Sequence, residues 1–135
     1  MTRHRTLSVR TSAREQLVDI TSQVKQTVRE LGLDDGLVHV YCPHTTAAIL
    51  IQENADPDLR TDIIEALARL VPQRGFRHRE GNADAHIKAI LLGSGVTIPV
   101  ARGKLQLGTW QDVYFGEFDG PRERTFVVTA LGAQP

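Results

Sequence analysis

The stretch from Leu37 to Pro72, LVHVYCPHTTAAILIQENADPDLRTDIIEALARLVP, carries two strand signals followed by a helix, and that order decides the fold class. Leu37 to Cys42 is rich in strand formers, and Pro43 interrupts it just before His44. Thr45 to Gln52 resumes as a strand. Its Ala47, Ala48, Ile49, Leu50 and Ile51 leave neither face polar, which predicts a central, buried position. Asp56 then suits a helix N-cap, Pro57 the first helical position, and Asp58 the positive helix end. Leu59, Ile63, Leu67 and Leu70 recur at helical spacing, Ile64 widens the stripe, and Pro72 ends it.

Upstream, Leu7 and Val9 alternate with Thr6 and Ser8, the period-two pattern of a strand. Gln16 to Ile20 reads as a second short strand. Thr21 or Ser22 can cap a helix that puts Val24, Val28 and Leu31 on one face, with Gly32 at a left-handed terminus. Downstream, a polar loop from Gln73 to Gly81 leads to Asn82, which can cap a third helix through Leu92, closed by Gly93. Beyond Gly95 the texture is β: Val96 to Val100 and Lys104 to Leu107 flank Arg102-Gly103, and Trp110 to Phe118 and Thr125 to Leu131 flank Asp119-Gly120. This segregation predicts an α+β fold. Its mainly antiparallel sheet carries about three helices on one face, with residues 1–135 as a single domain.

The 135 residues suit one domain, and 16 basic and 16 acidic side chains cancel. No net field therefore favours nucleic acid or an anionic membrane, although Arg74, Arg77, His78 and Arg79 cluster locally. The single Cys42 excludes an intrachain disulfide and an all-cysteine metal site, and suits a reducing compartment. No apolar run approaches the roughly 20 residues of a membrane span. A soluble, cytoplasmic protein is expected.

Several polar residues stand out. His44 lies at a strand end beside Thr45 and Thr46, whose hydroxyls suit a phosphate or the orientation of the ring. Glu53, Asp56 and Asp58 sit at a strand-to-helix junction, where carboxylates serve a cation or a general base. Capping accounts for Asp56 and Asp58 but not for Glu53. Asn82 and His86 share a helical face, and His78 lies in the loop before it. The separations of His44, His78 and His86 match no local zinc-finger spacing, so a three-histidine site is permitted and not demonstrated. Trp110, between polar residues, can stack on a ring, cover an interface or simply pack.

The stretch from Pro43-His44-Thr45-Thr46 through Glu53-Asn54-Ala55-Asp56-Pro57 resembles the YjbQ-like family, also known as secondary thiamine-phosphate synthases. Further blocks are similar: His78 with Glu80-Gly81-Asn82 and Ala85-His86-Ile87-Lys88, then Gly93-Ser94, Leu107-Gly108-Thr109-Trp110-Gln111 and Glu117. The resemblance implies a compact α+β homotrimer with pockets near subunit interfaces. It also implies weak transferase activity on a phosphorylated small molecule, joining a pyrimidine diphosphate to a thiazole phosphate. On that reading His44, His78 and His86 gather around a divalent metal or an anion, with zinc, manganese, nickel and magnesium all open. His44, Glu53, Asp56 and His86 would be catalytic. Thr45, Thr46, Asn82, Lys88, Trp110 and Gln111 would hold the substrate. The alternative is a trimeric module that binds a metal or phosphometabolite without turning it over.

Overall fold

The first and last strands of the chain lie side by side. In the computed structural model, which describes all residues 1–135, β1 (Thr2–Arg10) runs antiparallel to β8 (Glu123–Ala133), from Thr2 opposite Leu131 to Arg10 opposite Glu123. On its other side β8 pairs with β3 (Asp35–Tyr41), which pairs in turn with β5 (Gly95–Ala101) and, beyond it, the short β6 (Lys104–Leu105). A second sheet places β7 (Gln111–Glu117) between β2 (Gln16–Asp19) and β4 (Ala47–Glu53). All pairings are antiparallel. The α+β class read from the sequence therefore holds, but as two sheets of five and three strands rather than one.

Alternation along the strands explains the core. Val38 and Val40 of β3, Phe126, Val128 and Ala130 of β8, and Ile98 and Val100 of β5 all turn inward from the larger sheet. They meet Ala47, Ile49, Val113 and Phe115 of the smaller one. Helix α1 (Thr21–Leu31) adds Val24, Val28 and Leu31 to the same core, and its Gly32 takes the left-handed conformation (φ 75°) expected of it. The other face of the small sheet holds a lesser cluster of Ala48, Phe118, Leu67 of α2 (Pro57–Leu70) and Ala85 of α3 (Ala83–Leu92). This two-sided covering gives β4 its apolar character. It is nevertheless an edge strand, not the central one its composition suggests, because α2 and α3 supply the second layer.

Three local expectations change. Neither Thr21 nor Ser22 caps α1; the Asp19 carboxylate does so from outside, accepting from the Thr21 amide (2.9 Å) and hydroxyl (2.6 Å). Asp56 does cap α2, accepting from the Asp58 amide at 2.9 Å, whereas Asn82 at the start of α3 makes no capping bond. Of the α2 stripe only Leu67 is buried, and Leu70 is 74% exposed. Glycine is required where β3 and β8 come closest: a Cβ on Gly36 would lie 2.1 Å from the Leu131 carbonyl oxygen, and one on Gly132 2.2 Å from that of Asp35. No helix is long and apolar enough to cross a membrane.

The core assignment predicts that Phe126→Ala lowers the unfolding free energy by about 3–5 kcal/mol, while Leu70→Ser stays within about 0.5 kcal/mol of the parent. Urea denaturation of both variants checks this; equal effects would refute the assignment.

Candidate functional site

Three segments distant in sequence meet at one end of the two sheets. The loop leaving β3 brings His44, Thr45 and Thr46; the approach to α3 and its first turn bring Glu80, Asn82 and His86; the turn between β7 and β8 and the start of β8 bring Asp119, Arg122 and Arg124. Together with Pro43 they line a cleft of about 350 Å³ with almost no apolar lining.

Its floor is a buried ion pair. Glu117, the last residue of β7, is fully buried, and Arg124, on the adjoining stretch of β8, is 5% exposed. The guanidinium grips the carboxylate in a fork, Nε donating to Oε1 at 2.8 Å and Nη2 to Oε2. Glu117 also accepts from the Thr11 hydroxyl (2.7 Å) and the Asp119 amide (3.1 Å). Burial pushes this carboxyl upward in pKa, but the hydrogen bonds from Arg124, Thr11 and Asp119 outweigh it and hold it below the usual range. Nη2 of Arg124 donates as well to the Thr46 hydroxyl at 2.8 Å, tying the β3–β4 loop to the floor. Nη1 has no partner within the chain. The turn above packs tightly on Ala13, since a Cβ on Gly120 would lie 2.4 Å from its carbonyl oxygen.

His44 is half-buried and held by one edge only. Its Nε2 sits 3.0 Å from the Thr125 amide nitrogen and 3.1 Å from the Thr125 carbonyl oxygen, so either protonation state of that nitrogen finds a backbone partner. Nδ1 is the edge left for a ligand. Burial first, and the Arg124 charge second, lower the His44 pKa and favour the neutral ring. Asn82 donates from Nδ2 to Asp119 (2.8 Å), while its enclosed Oδ1 has no partner. Arg122 bonds Asp119 through Nε to the carbonyl (2.7 Å) and Nη2 to the carboxylate (3.1 Å).

The three histidines do not converge within the chain. His44 and His86 share the cleft, whereas His78 lines a neighbouring cavity and meets His86 edge-on with ring centres 5.2 Å apart. Nowhere in the chain do three His, Cys, Asp or Glu side chains group closely enough to hold a metal ion. The donor set of one chain does not fit a metal.

Other residues expected at the site lie elsewhere. Lys88 is 2% exposed and committed to Glu15 (2.6 Å) and Asp84 (3.5 Å), with Arg14 on the far side of Asp84 (3.2 Å). It fastens α3 to the segment before β2 and is not free for a phosphate. Glu53 pairs in register with Gln111, while Ala47, beside the cleft, pairs with Glu117. Six steps of strand, about 20 Å, thus separate Glu53, Trp110 and Gln111 from the histidines. Asp56 stands at that far end too, capping α2. Of the expected substrate residues, Thr45, Thr46 and Asn82 are in the cleft. Arg122, Arg124 and Asp119 went unread in the sequence, although a Glu inside the otherwise apolar run Tyr114 to Phe118 signals a buried partner of opposite charge.

Comparison with known proteins fits this picture of a shared fold. The model of the "UPF0047 protein YjbQ-like" family matches residues 5–133. The chain belongs to the YjbQ-like UPF0047 family. A UPF0047 protein of Methanocaldococcus jannaschii is 50% identical over 92% of this chain and 91% of its own length. The UPF0047 protein YugU of Bacillus subtilis is 43% identical over 95% and 98%. Among solved structures, an uncharacterized YjbQ/UPF0047 protein of Clostridium acetobutylicum superposes with a TM-score of 0.90 at 52% identity, covering 92% of this chain and 97% of that one. A Sulfolobus solfataricus protein does so at 0.95 and 36%, covering 98% and 99%. The YjbQ-like relatives are described by the UPF0047 designation, and the Sulfolobus protein as one of unknown function; none is described as a thiamine-phosphate synthase. The expected thiamine-phosphate-synthase activity therefore does not hold for this YjbQ-like chain.

The buried pair predicts that Glu117→Gln, which strands the Arg124 charge, costs about 3–5 kcal/mol in urea denaturation. The parent should lose stability in two stages as pH falls. His44 charges more readily unfolded than folded, so the first loss begins at the ordinary histidine range. Glu117 and Asp84, both held low, hold their contribution above the ordinary carboxylate range and lose it on descending through their folded values. A stability profile flat from neutral pH to below the carboxylate range would contradict these assignments.

Proposed function

We propose that the cleft binds the oxyanion group of a small molecule, a phosphate or a carboxylate. The observation that carries this reading is the buried Arg124 guanidinium. Glu117 fixes its plane, Thr46 fixes its rotation, and Nη1 is left without a partner in a polar cleft. A guanidinium fixed this way loses no side-chain freedom when an anion docks, and the two N–H groups of Nη1 are the donors left for the ligand's oxygens. Arg122 stands at the rim, and Nδ1 of His44 can donate to the anion or take a proton from the bound molecule.

Inorganic phosphate titrated calorimetrically into the protein tests this. Binding to the parent should weaken about tenfold or more in Arg122→Gln and in His44→Gln, both at positions open enough for the fold to survive. Equal binding by parent and variants, or none by the parent, would refute the reading.

We further propose that copies of the chain associate as a trimer through the outer face of the five-stranded sheet. Support comes from Leu37 and Leu131, which are cross-strand neighbours 44% and 52% exposed, and from Tyr41, 44% exposed on the same face. Light scattering should return three chain masses for the parent and one for Leu131→Arg; a monomeric parent would contradict it.

A further inference from the structure

The arginine cleft has a second chamber. His44, Thr45 and His86 line it on one side and a cavity of about 420 Å³ on the other. Beyond these shared residues the second cavity is walled by Ala47, Ala89 and Ile90 and by the Gly93-Ser94 backbone, with no charged side chain among its lining. The small side chains of Ala47 and Ala89 leave the space open. Its floor is fixed: the Cys42 amide donates to the Ser94 carbonyl at 2.7 Å, the Ile49 amide to that of Gly93 at 3.2 Å, and the Gly93 amide to that of Ala89 at 2.9 Å. The cavity beside His78, lined by Arg74 and Phe76 among others, shares no lining residue with the arginine cleft. The space adjoining the arginine cleft is thus the alanine-lined chamber and not the one beside His78.

From this division we infer that the ligand is a small amphipathic organic anion. Its oxyanion occupies the arginine cleft, and its uncharged, largely apolar body lies across the His44–His86 ridge in the second chamber. The inference rests on the oxyanion reading and adds the nature of the body to it. A bare inorganic ion would use only the charged half, and a molecule charged at both ends would bring an uncompensated charge against Ala47 and Ala89.

Calorimetric titration with inorganic phosphate and with n-butyl phosphate tests the inference. The parent should bind butyl phosphate at least about tenfold more tightly than phosphate, as burial of a few methylenes implies. Ala89→Leu, which fills the second chamber, should abolish that advantage and leave phosphate binding unchanged. Ile90→Ser, at a position 79% exposed where the fold tolerates change, should reduce it several-fold. If phosphate binds and responds to Arg122→Gln but the butyl group adds nothing, or its advantage survives both chamber variants, the amphipathic ligand is overturned while the oxyanion reading stands. If the parent binds neither compound, both fall.

Discussion

A carboxylate and a guanidinium removed from water on adjoining stretches of two strands govern how this molecule is joined. Glu117 belongs to the small sheet and Arg124 to the large one, so their fork bridges the two layers across the β7–β8 turn. An isolated ion in such a place costs several kcal/mol, and only full pairing offsets that cost. Every remaining partner serves the pairing. Thr11 brings in the segment after β1, the Asp119 amide orders the turn, and Thr46 fixes the loop that carries His44. The cleft is consequently built on the element that holds the sheets in register, and its arginine is preorganised because the fold requires it to be.

A second set of charges, two of them buried, holds the opposite wall. Arg14, Asp84, Lys88 and Glu15 lock the inner face of α3 to the chain segment leading into β2. Burial raises the Asp84 carboxyl, yet Arg14 and Lys88 bring it below its ordinary value, so the helix is anchored by ionised groups at neutral pH. His86, on the same helix, is thereby presented to the cleft at a fixed height, and the amide of Asn82 is free to bond Asp119 instead of capping. The α3 surface that is neither pinned nor charged, around Ala89 and Ile90, forms the apolar chamber.

Much of this was legible along the chain because it depends on near neighbours. The Asp56-Pro57 start of α2, the glycine end of α1 and the Arg102-Gly103 hairpin, where both residues take positive φ, follow from backbone preferences of a few adjacent residues. Strand partners do not. Period two marks β1 as a strand, but nothing in it announces that it pairs with the chain's last strand, so one sheet was expected where two exist. The site divides along the same line. His44, Thr45, Thr46, Asn82 and His86 were visible as polar residues at element ends. Lys88 was expected to hold the substrate, because lysine is rarely buried and its partner Glu15 is far off in sequence. Glu53 follows His44 closely in sequence, yet the rise of β4 carries it to the other end of the sheet. Arg122 and Arg124 carry no signal of their own in the sequence; only the lone Glu in the apolar run of β7 hints at what lies under them.

The central claim, that an oxyanion docks on the arginine floor, is tested most directly by nitrogen-15 NMR of the labelled protein during titration with inorganic phosphate. The account predicts shifts concentrated at Thr45, Thr46, Asn82, His86 and Arg124, with the Nδ1 resonance of His44 moving with them and the indole of Trp110 unaffected. Shifts centred on Trp110, Gln111 and Glu53, or a spectrum indifferent to phosphate, would contradict it.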